Sequence, residues 1–461
     1  MRDRSCPRVR VDRQSQALGR SVARMLTVLA YAMVVMFMVL IMTKRLSALT
    51  ALILVPIAFG VLGGFARELG PMMLAGVTKL APTGVMLTFA ILYFAVMIEA
   101  GLFEPFVRAI VRVVHGDPMK VVVGTAVLAL LVSLDGDGST TYMITTAAML
   151  PLYKRLGIRP LILACVTMMA GGVMNILPWG GPTARVASAL GVDSSTIFLP
   201  LVPAMAAGAL WVVYAAYRLG VRERVRLARA GGGALSDETL YETVAADVTH
   251  RRPGRLAINA VLTLALMVAL VMGVMPLPVL FMIGFAIALL INCPTIDEQK
   301  TLLNAHAGNA LAVAGMIFAA GIFTGILSGT KMIDAMADSV VHLVPPALGP
   351  YLSVVTALLS IPFTFFISND AFYFGVLPIL AKAGAAYGIA AAEIGRASLI
   401  GQPVHLLSPL VPSTYLLVGL VDVPFDEHQK YTIKWALLTA LVMLGAGLLT
   451  AAFPLVGRAT G

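Results

Sequence analysis

The segment SLDGDGSTTYMITT, residues 133–146, places two aspartates, two glycines and several hydroxyl side chains in the middle of apolar sequence. A second interruption of this kind is PFTFFISNDAFYFG, residues 362–375, which carries Ser368, Asn369 and Asp370. Ionisable residues at such depth in an apolar stretch are costly in lipid, so they usually face the protein interior or water. Both segments therefore predict helices that are broken inside a membrane protein.

The composition supports a membrane protein. The 461 residues are 59% hydrophobic and 12% charged, whereas soluble domains carry about 25% charged residues. Apolar runs recur along most of the chain, each close to the roughly 20 residues that cross a bilayer. The basic residues behind the net charge of +10 lie in the gaps between these runs, where they act as topology signals. The expected partner is therefore the lipid bilayer and not nucleic acid.

The sequence also excludes several function classes. Its three cysteines share no short spacing that would indicate a zinc site or a disulfide framework. It contains no Walker loop, His-x-x-x-His pair or Gly-x-Ser-x-Gly motif, so neither an ATP-driven pump nor a metalloprotease is indicated. Any transport would have to draw its energy from an ion gradient.

Segments of the first half of the chain have counterparts in the second half at an offset of about 230 residues. The pairs are MIEAGLFEPFVRAIVRVVHGDP (97–118) with ILSGTKMIDAMADSVVHLVPP (326–346), MLPLYKRLGI (149–158) with VLPILAKAGAAYGI (376–389), and NILPWGGPTARVASALG (175–191) with HLLSPLVPSTYLLVGL (405–420). Three matches in the same order indicate an internal repeat.

The predicted fold class is an all-α polytopic membrane protein made of two inverted repeats, each with five spans and one re-entrant hairpin. An odd number of crossings inverts the second repeat and places most lysines and arginines on the side of the central linker, as the positive-inside rule requires. The predicted divisions are a basic arm (1–24), a first repeat (25–217) with hairpin 1 at about 118–150, a cytoplasmic linker (218–256), and a second repeat (257–461) with hairpin 2 at about 350–385.

The basic arm conflicts with this topology, because its seven arginines would lie outside. We favour translation starting at Met25 as the explanation. An altered N-terminal topology is the alternative.

A second pair of interrupted segments follows the hairpins. GGVMNILPWGGPTAR (171–185) carries two prolines and four glycines, and GQPVHLLSPLVPSTY (401–415) carries three prolines. Proline removes a backbone hydrogen bond and unwinds a helix locally. Breaks at matching places in two halves are the best sequence indication of a transport site. The freed carbonyls can bind a cation, and the freed amides and helix N-termini can bind an anion.

The residues predicted to bind substrate or ions lie at the polar hairpin tips and in the unwound segments. They are Asp135, Asp137, Gly138, Ser139, Thr140, Asn175, Gly180, Gly181, Thr183, Arg185, Ser368, Asn369, Asp370, Ser408, Ser413 and Thr414. The candidates for proton coupling, chosen because they can titrate, are Asp137, Asp370 and His405.

Structural roles are the alternatives for the ionisable candidates. Asp137 and Asp370 would then cap helices or form internal ion pairs, and Asp135 would pair with a nearby base. The planar fork of Arg185 suits a substrate carboxylate, but it can equally neutralise one of the aspartates. His405 would only hydrogen-bond a backbone carbonyl.

The segments SLDGDGSTTYMIT, LPWGGPTAR and ISNDAFYFGVLP resemble the citrate–metal:proton symporter family, CitMHS. The resemblance runs from about residue 25 to the C-terminus, and its most specific part is the Trp-Gly-Gly-Pro-Thr block. The family belongs to the ion transporter superfamily, which also contains sodium-coupled dicarboxylate carriers. The resemblance therefore implies two opposed hairpins, a homodimeric scaffold and an elevator-like movement of the transport domain.

The hairpin tips depart from the dicarboxylate carriers, which have Ser-Asn-Thr there. One tip of this chain has Asp370 after Ser368 and Asn369, and the other has Asp137 before Gly138 and two hydroxyl residues. An acidic residue thus replaces a neutral one at each tip. The change argues against sodium coupling and fits a cargo that brings its own divalent cation, or a site that binds protons.

The function implied by the resemblance is import of citrate complexed with a divalent metal, Mg²⁺ or Ca²⁺, coupled to protons across a bacterial inner membrane. No permanent cofactor or protein-bound metal is expected. Each negative charge that enters against a membrane potential costs about 2.3 kcal/mol per 100 mV, and one divalent metal lowers the charge of the nearly trivalent citrate to about −1. A cation/proton antiporter or oxyanion exporter of the same superfamily is the alternative. An enzyme is not expected, since the sequence shows no nucleophile–base pair or metal triad.

Overall fold

The described part of the chain is entirely helical. The computed structural model describes residues 25–229 except 42, 115 and 137, residues 253–343 except 273, and residues 345 and 347–458. No strand occurs in these ranges. The predicted arm 1–24, the central part of the predicted linker and Asp137 lie outside the described residues.

The helices of the first half are separated by short turns. They are α1 (Met25–Ile41), α2 (Ala48–Leu62), α3 (Leu69–Glu99), α4 (Glu104–Val114), α5 (Pro118–Val132), α6 (Gly138–Arg155), α7 (Pro160–Met174), α8 (Gly181–Leu190), α9 (Ser194–Phe198) and α10 (Val202–Arg229). A short 3-10 turn joins α9 to α10, and α10 continues into the predicted linker as far as Arg229.

The second half shows the same order of helices. They are α11 (Pro253–Val271), α12 (Leu277–Asn292), α13 (Ile296–Gly329), α14 (Met332–Leu343), α15 (Leu352–Phe366), α16 (Leu377–Ala385), α17 (Ala391–Ser398), α18 (Gln402–His405), α19 (Pro412–Val421) and α20 (Phe425–Leu449). A π-helical turn, Ala371–Val376, leads into α16. The hairpins are thus α5 with α6 and α15 with α16.

Six helical segments of the described chain are long and apolar enough to cross a membrane. They are Leu69–Glu99, Pro118–Asp135, Ser194–Arg229, Ile296–Gly329, Gly349–Phe366 and Phe425–Leu449. In each half they are the third helix, the first arm of the hairpin and the last helix. The chain is therefore a multi-pass membrane protein, as its composition predicted.

Local sequence sets where the hairpins and long helices begin. The Asp117 carboxylate accepts a hydrogen bond from the backbone N–H of Met119 at 2.9 Å, and Pro118 follows at the first helical position of hairpin 1. Helix α13 begins with a capping box, in which Thr295 and Glu298 each accept from the other's backbone N–H. These caps satisfy amides that a helix end leaves without partners.

Helices α3 and α13, the third helices of the two halves, cross in backbone contact. A Cβ atom built on Gly76 would lie 2.0 Å from the carbonyl oxygen of Gly321, and one built on Gly325 would lie 2.3 Å from that of Met72. Small residues spaced four apart allow this approach and supply van der Waals contact, which drives helix association in lipid. The crossing joins the two halves of the molecule.

The two unwound segments also meet. Helix α7 ends before the break at 175–180, and α18 ends before the break at 406–411. They approach so closely that a Cβ atom on Gly172 would lie 2.6 Å from the Cα of Pro403. Helix α10 packs against α5, α7 and α20, and α15 packs against α17 and α18. The hairpin tips and the breaks are thereby brought to one place.

The glycine crossing makes a stability prediction. Gly325→Ala adds a methyl group against the backbone of α3, so we expect a loss of about 1–3 kcal/mol from overpacking. Gly308 lies in the same helix with no atom within 4 Å of a built Cβ, so Gly308→Ala should leave stability unchanged or raise it slightly. Melting temperatures of the purified proteins in detergent compare the two. Equal melting temperatures would contradict the described crossing.

Candidate substrate-binding site

A cavity of about 370 Å³ lies where the two hairpin tips meet the two unwound segments. Its size falls in the range of small-ligand pockets. The sequence-predicted residues that line it are Gly138, Asn175, Gly181, Arg185, Ser368, Asn369, Asp370, His405 and Ser413. Both halves of the chain contribute to this wall, so neither half alone forms the cavity.

Three helices begin at the cavity wall. They are α6 at Gly138, α8 at Gly181 and α19 at Pro412, and all three residues line the cavity. Neither α8 nor α19 has a side-chain cap at its N-terminus. The first amides of a helix and its dipole favour an anion at that end. The arrangement therefore concentrates partial positive charge around the cavity.

An ion pair between the two halves stands in the cavity wall. The Arg185 Nε donates to the Asp370 Oδ1 at 2.6 Å, and the two side chains are 25% and 16% exposed. Arg185 thus neutralises an aspartate, which was one of its two predicted roles. Its terminal nitrogens have no hydrogen-bond partner among the described residues. The guanidinium can therefore hold Asp370 and still donate to an anionic ligand.

A glutamine that the sequence prediction left out connects the two halves beside this ion pair. Gln402 is fully buried, accepts from Asn175 Nδ2 at 3.0 Å, and donates to Tyr373 Oη at 2.6 Å and Asn369 Oδ1 at 3.3 Å. The sequence feature that could have identified Gln402 is its polar amide side chain inside the apolar segment 401–415, which three prolines interrupt. A buried polar side chain of this kind needs hydrogen-bond partners.

His405 ties the second unwound segment to hairpin 2. Its ring is 7% exposed, and Nδ1 donates to the carbonyl oxygen of Thr364 at 2.6 Å. A carbonyl can only accept, so the proton lies on Nδ1. The hydrogen bond to a carbonyl is the structural alternative that the sequence left open, and His405 also lines the cavity.

Three of the predicted hydroxyl residues support the wall from behind instead of lining it. Thr183 donates to the carbonyl of Ile176 at 2.8 Å, and Thr414 donates in the same way to the carbonyl of Leu406. Ser408 donates to the carbonyl of Phe365 at 2.6 Å. All three are fully buried. Thr183 and Thr414 satisfy carbonyls that the breaks in α7–α8 and α18–α19 leave without helical partners, and Ser408 satisfies a carbonyl at the end of α15 in hairpin 2.

The remaining predicted residues that the structure describes, which excludes Asp137, also lie off the cavity surface. Asp135 is buried in the 3-10 turn of hairpin 1, and Ser139 and Thr140 begin α6. Gly180 precedes α8, where a Cβ would lie 2.3 Å from the carbonyl oxygen of Asn175. The role of these residues in binding stays a prediction.

Trp179 holds the tip of hairpin 1 against the first unwound segment. Its Nε1 donates to the carbonyl of Leu134 at 2.9 Å. Gly136 has a φ of 78°, and a Cβ built on it would lie 2.8 Å from the indole. Only glycine adopts this positive φ at low cost and leaves room for the indole, because it has no Cβ atom. The indole packs on Phe94 and Phe281 at ring distances of 5.7 and 5.1 Å.

Paired hairpins and paired broken helices around one polar cavity define a membrane transporter of the secondary type. Residues 34–401 match the CitMHS family model, described as citrate transporter. The chain therefore belongs to the CitMHS citrate transporter family, which confirms the resemblance predicted from its broken segments. It is a transporter and not an enzyme.

Two relatives from Bacillus subtilis (strain 168) cover nearly the whole chain. The first is named citrate transporter; it is 60% identical over 425 residues, which are 92% of this chain and 99% of the relative. The second is named Mg(2+)/citrate complex secondary transporter; it is 53% identical over 431 residues, which are 93% of this chain and 99% of the relative.

Two solved structures share the fold. The YdaH transporter of Alcanivorax borkumensis aligns with a TM-score of 0.55 at 14% identity over 85% of this chain and 90% of its own. The antimetabolite efflux pump MtrF of Neisseria gonorrhoeae aligns with a TM-score of 0.57 at 13% identity over 83% and 84%. At such low identity the likeness concerns the fold alone, and it confirms the predicted all-helical membrane fold.

The hydroxyl placement makes a prediction for Thr183. Thr183→Val removes the donor and leaves the carbonyl of Ile176 buried without a partner, at a cost of about 1–3 kcal/mol. Thr183→Ser keeps the hydroxyl and should retain most of the stability. Thermal unfolding in detergent measures both variants. A valine variant that melts like the wild type would show that the hydroxyl does not stabilise the unwound segment.

Proposed function

We propose that this chain imports citrate as a complex with a divalent metal, Mg²⁺ or Ca²⁺, coupled to protons, across a bacterial inner membrane. The observation that carries the proposal is the polar cavity with the Arg185–Asp370 ion pair in its wall and helix N-termini around it. The names of the two Bacillus subtilis relatives supply the substrate class.

The cavity wall contains groups for both charges of such a complex. The Arg185 guanidinium and the N-terminal amides of α8 and α19 suit the carboxylates of citrate. Asp370 supplies oxygens of the kind that Mg²⁺ and Ca²⁺ prefer. A metal–citrate complex presents both signs at once, so it can engage both partners of the ion pair. The metal is cargo in this proposal, and the protein holds no permanent cofactor.

Proton coupling is assigned to the titratable groups of the site. Asp370 and His405 line the cavity, and Asp137, outside the described residues, is the third predicted candidate. Protonation of Asp370 would remove its charge and leave Arg185 free for a substrate carboxylate. Entry of two protons with a complex of charge about −1 would also make import net positive, so that the membrane potential drives uptake.

Movement is proposed to follow the elevator scheme, with the hairpins and broken helices sliding against the other helices. A second cavity, of about 710 Å³, lies between the α3–α13 crossing and the elements α8 and α16, with Lys79 and Lys382 on its walls. Space at this boundary supports movement of one part against the other. The inverted orientation of the repeats (25–217 and 257–461) and a homodimeric scaffold belong to the same proposal.

Uptake of labelled citrate into cells that express the chain tests the proposed function. We expect uptake to require Mg²⁺ or Ca²⁺, to stop with a chelator and to collapse with a protonophore. Absence of uptake with any divalent metal, from protein shown to be in the membrane, would overturn the proposal. Proton release from vesicles on addition of Na⁺ or Li⁺ would then identify the antiporter alternative.

Charge removal at the hairpin tips should stop transport. Asp370→Asn breaks the ion pair with Arg185 and Asp137→Asn removes the second tip carboxylate, so we expect both to abolish uptake with normal amounts of protein in the membrane. Asp426→Asn is the matched control, because Asp426 forms an exposed ion pair with Lys430, at 2.9 Å, that lies outside both cavities. Wild-type uptake by the two tip variants would contradict the assignment.

A further inference from the structure

Gln402 lies behind the substrate cavity and contacts asparagines from both halves of the chain. It is fully buried and does not line the cavity, whereas Asn175 and Asn369 both do. We infer that Gln402 sets the orientation of these two side chains, so that Asn175 presents its Oδ1 and Asn369 its Nδ2 to the ligand. The inference rests on the proposed function for the identity of that ligand.

A backbone carbonyl determines which side-chain atoms of this network donate hydrogen bonds and which accept them. The Tyr373 hydroxyl lies 3.5 Å from the carbonyl oxygen of Ser398, which can only accept. The hydroxyl therefore donates to Ser398 and accepts from Gln402 Nε2 at 2.6 Å. The Gln402 Oε1 then points away from Tyr373 and accepts from Asn175 Nδ2 at 3.0 Å.

The second branch orients the asparagine of hairpin 2. The Gln402 Nε2 also lies 3.3 Å from Asn369 Oδ1, which accepts from it. Within the described residues, neither Asn175 Oδ1 nor Asn369 Nδ2 has a hydrogen-bond partner. The first half therefore contributes a free amide oxygen to the cavity, and the second half contributes a free N–H₂ group.

These two free groups suit the two parts of a metal–citrate complex. An amide oxygen is a ligand that Mg²⁺ and Ca²⁺ accept, whereas an N–H₂ group is repelled by a cation. The N–H₂ group of Asn369 donates to a carboxylate. Gln402 is thus a positioning residue, because it orients the metal side and the carboxylate side of the site without touching either.

Removing the glutamine amide tests the positioning role. Gln402→Met keeps the side-chain length but frees both asparagines to rotate, so we expect the KM for metal–citrate to rise about tenfold or more, as for other residues that orient ligands, with less change in maximal rate. Gln299→Met is the matched control, because Gln299 donates only to the carbonyl of Cys293, at 3.0 Å, and neither residue lines the cavity. A wild-type KM in Gln402→Met would overturn the inference.

The same substitution, Asn→Asp, at each of the two asparagines distinguishes a role of Gln402 in orienting them from a role in stability alone. It tests the inference even if Gln402→Met fails to reach the membrane. Asn369→Asp still accepts from Gln402 but turns a carboxylate oxygen toward citrate. Asn175→Asp keeps an oxygen in the cavity but loses its donor to Gln402. We expect Asn369→Asp to have the higher KM and Asn175→Asp to have the lower melting temperature. The inference would be overturned if one of the two variants had both the higher KM and the lower melting temperature.

The melting temperatures need no substrate, so they separate this inference from the proposed function. A wild-type chain that takes up no citrate would overturn the proposed function only. Asn175→Asp melting below Asn369→Asp would still support the hydrogen-bond chain through Gln402, and the reverse order or equal values would overturn it.

Discussion

Backbone groups that lose their helical partners inside a membrane must find others, because lipid offers none. Four interruptions of the helices depend on this constraint: the two hairpin tips and the breaks after α7 and α18. Thr183, Thr414 and Ser408 donate to freed carbonyls, and Trp179 donates to the tip of hairpin 1. The interruptions are stable because they lie together, and lying together they enclose a polar cavity.

The contacts that close the cavity run between the halves of the chain. The Arg185–Asp370 ion pair and the hydrogen bonds of Gln402 both join the first half to hairpin 2. Outside the cavity, the close crossing at Gly76 and Gly325 joins α3 to α13. Binding groups from different halves thus share one site, whereas separate backbone contacts hold the surrounding helices. Such a division suits a transporter whose site moves as a unit.

Much of the fold and of the candidate site could be predicted from the sequence, because polar and helix-breaking residues stand out within the apolar segments of a membrane protein. Glycine, proline and aspartate in apolar runs marked both hairpins and both breaks, and nine predicted residues line the cavity. The hydrogen-bond partner of each polar side chain could not be predicted from the residues next to it in sequence. Thr183 and Asn175 look alike as polar residues near a break, yet Thr183 bonds a carbonyl behind the wall and Asn175 faces the cavity. Gln402 was missed because its partners are distant in sequence.

The central claim is that the cavity binds citrate and metal together. Equilibrium binding of labelled citrate to the purified protein, titrated with Mg²⁺ or Ca²⁺, tests it most directly. Because Arg185 and Asp370 would engage opposite charges of one complex, citrate affinity should rise with metal concentration until the complex saturates, and chelator should abolish it. Citrate binding that is equally tight with and without chelator would contradict the claim, since free citrate would then be the ligand.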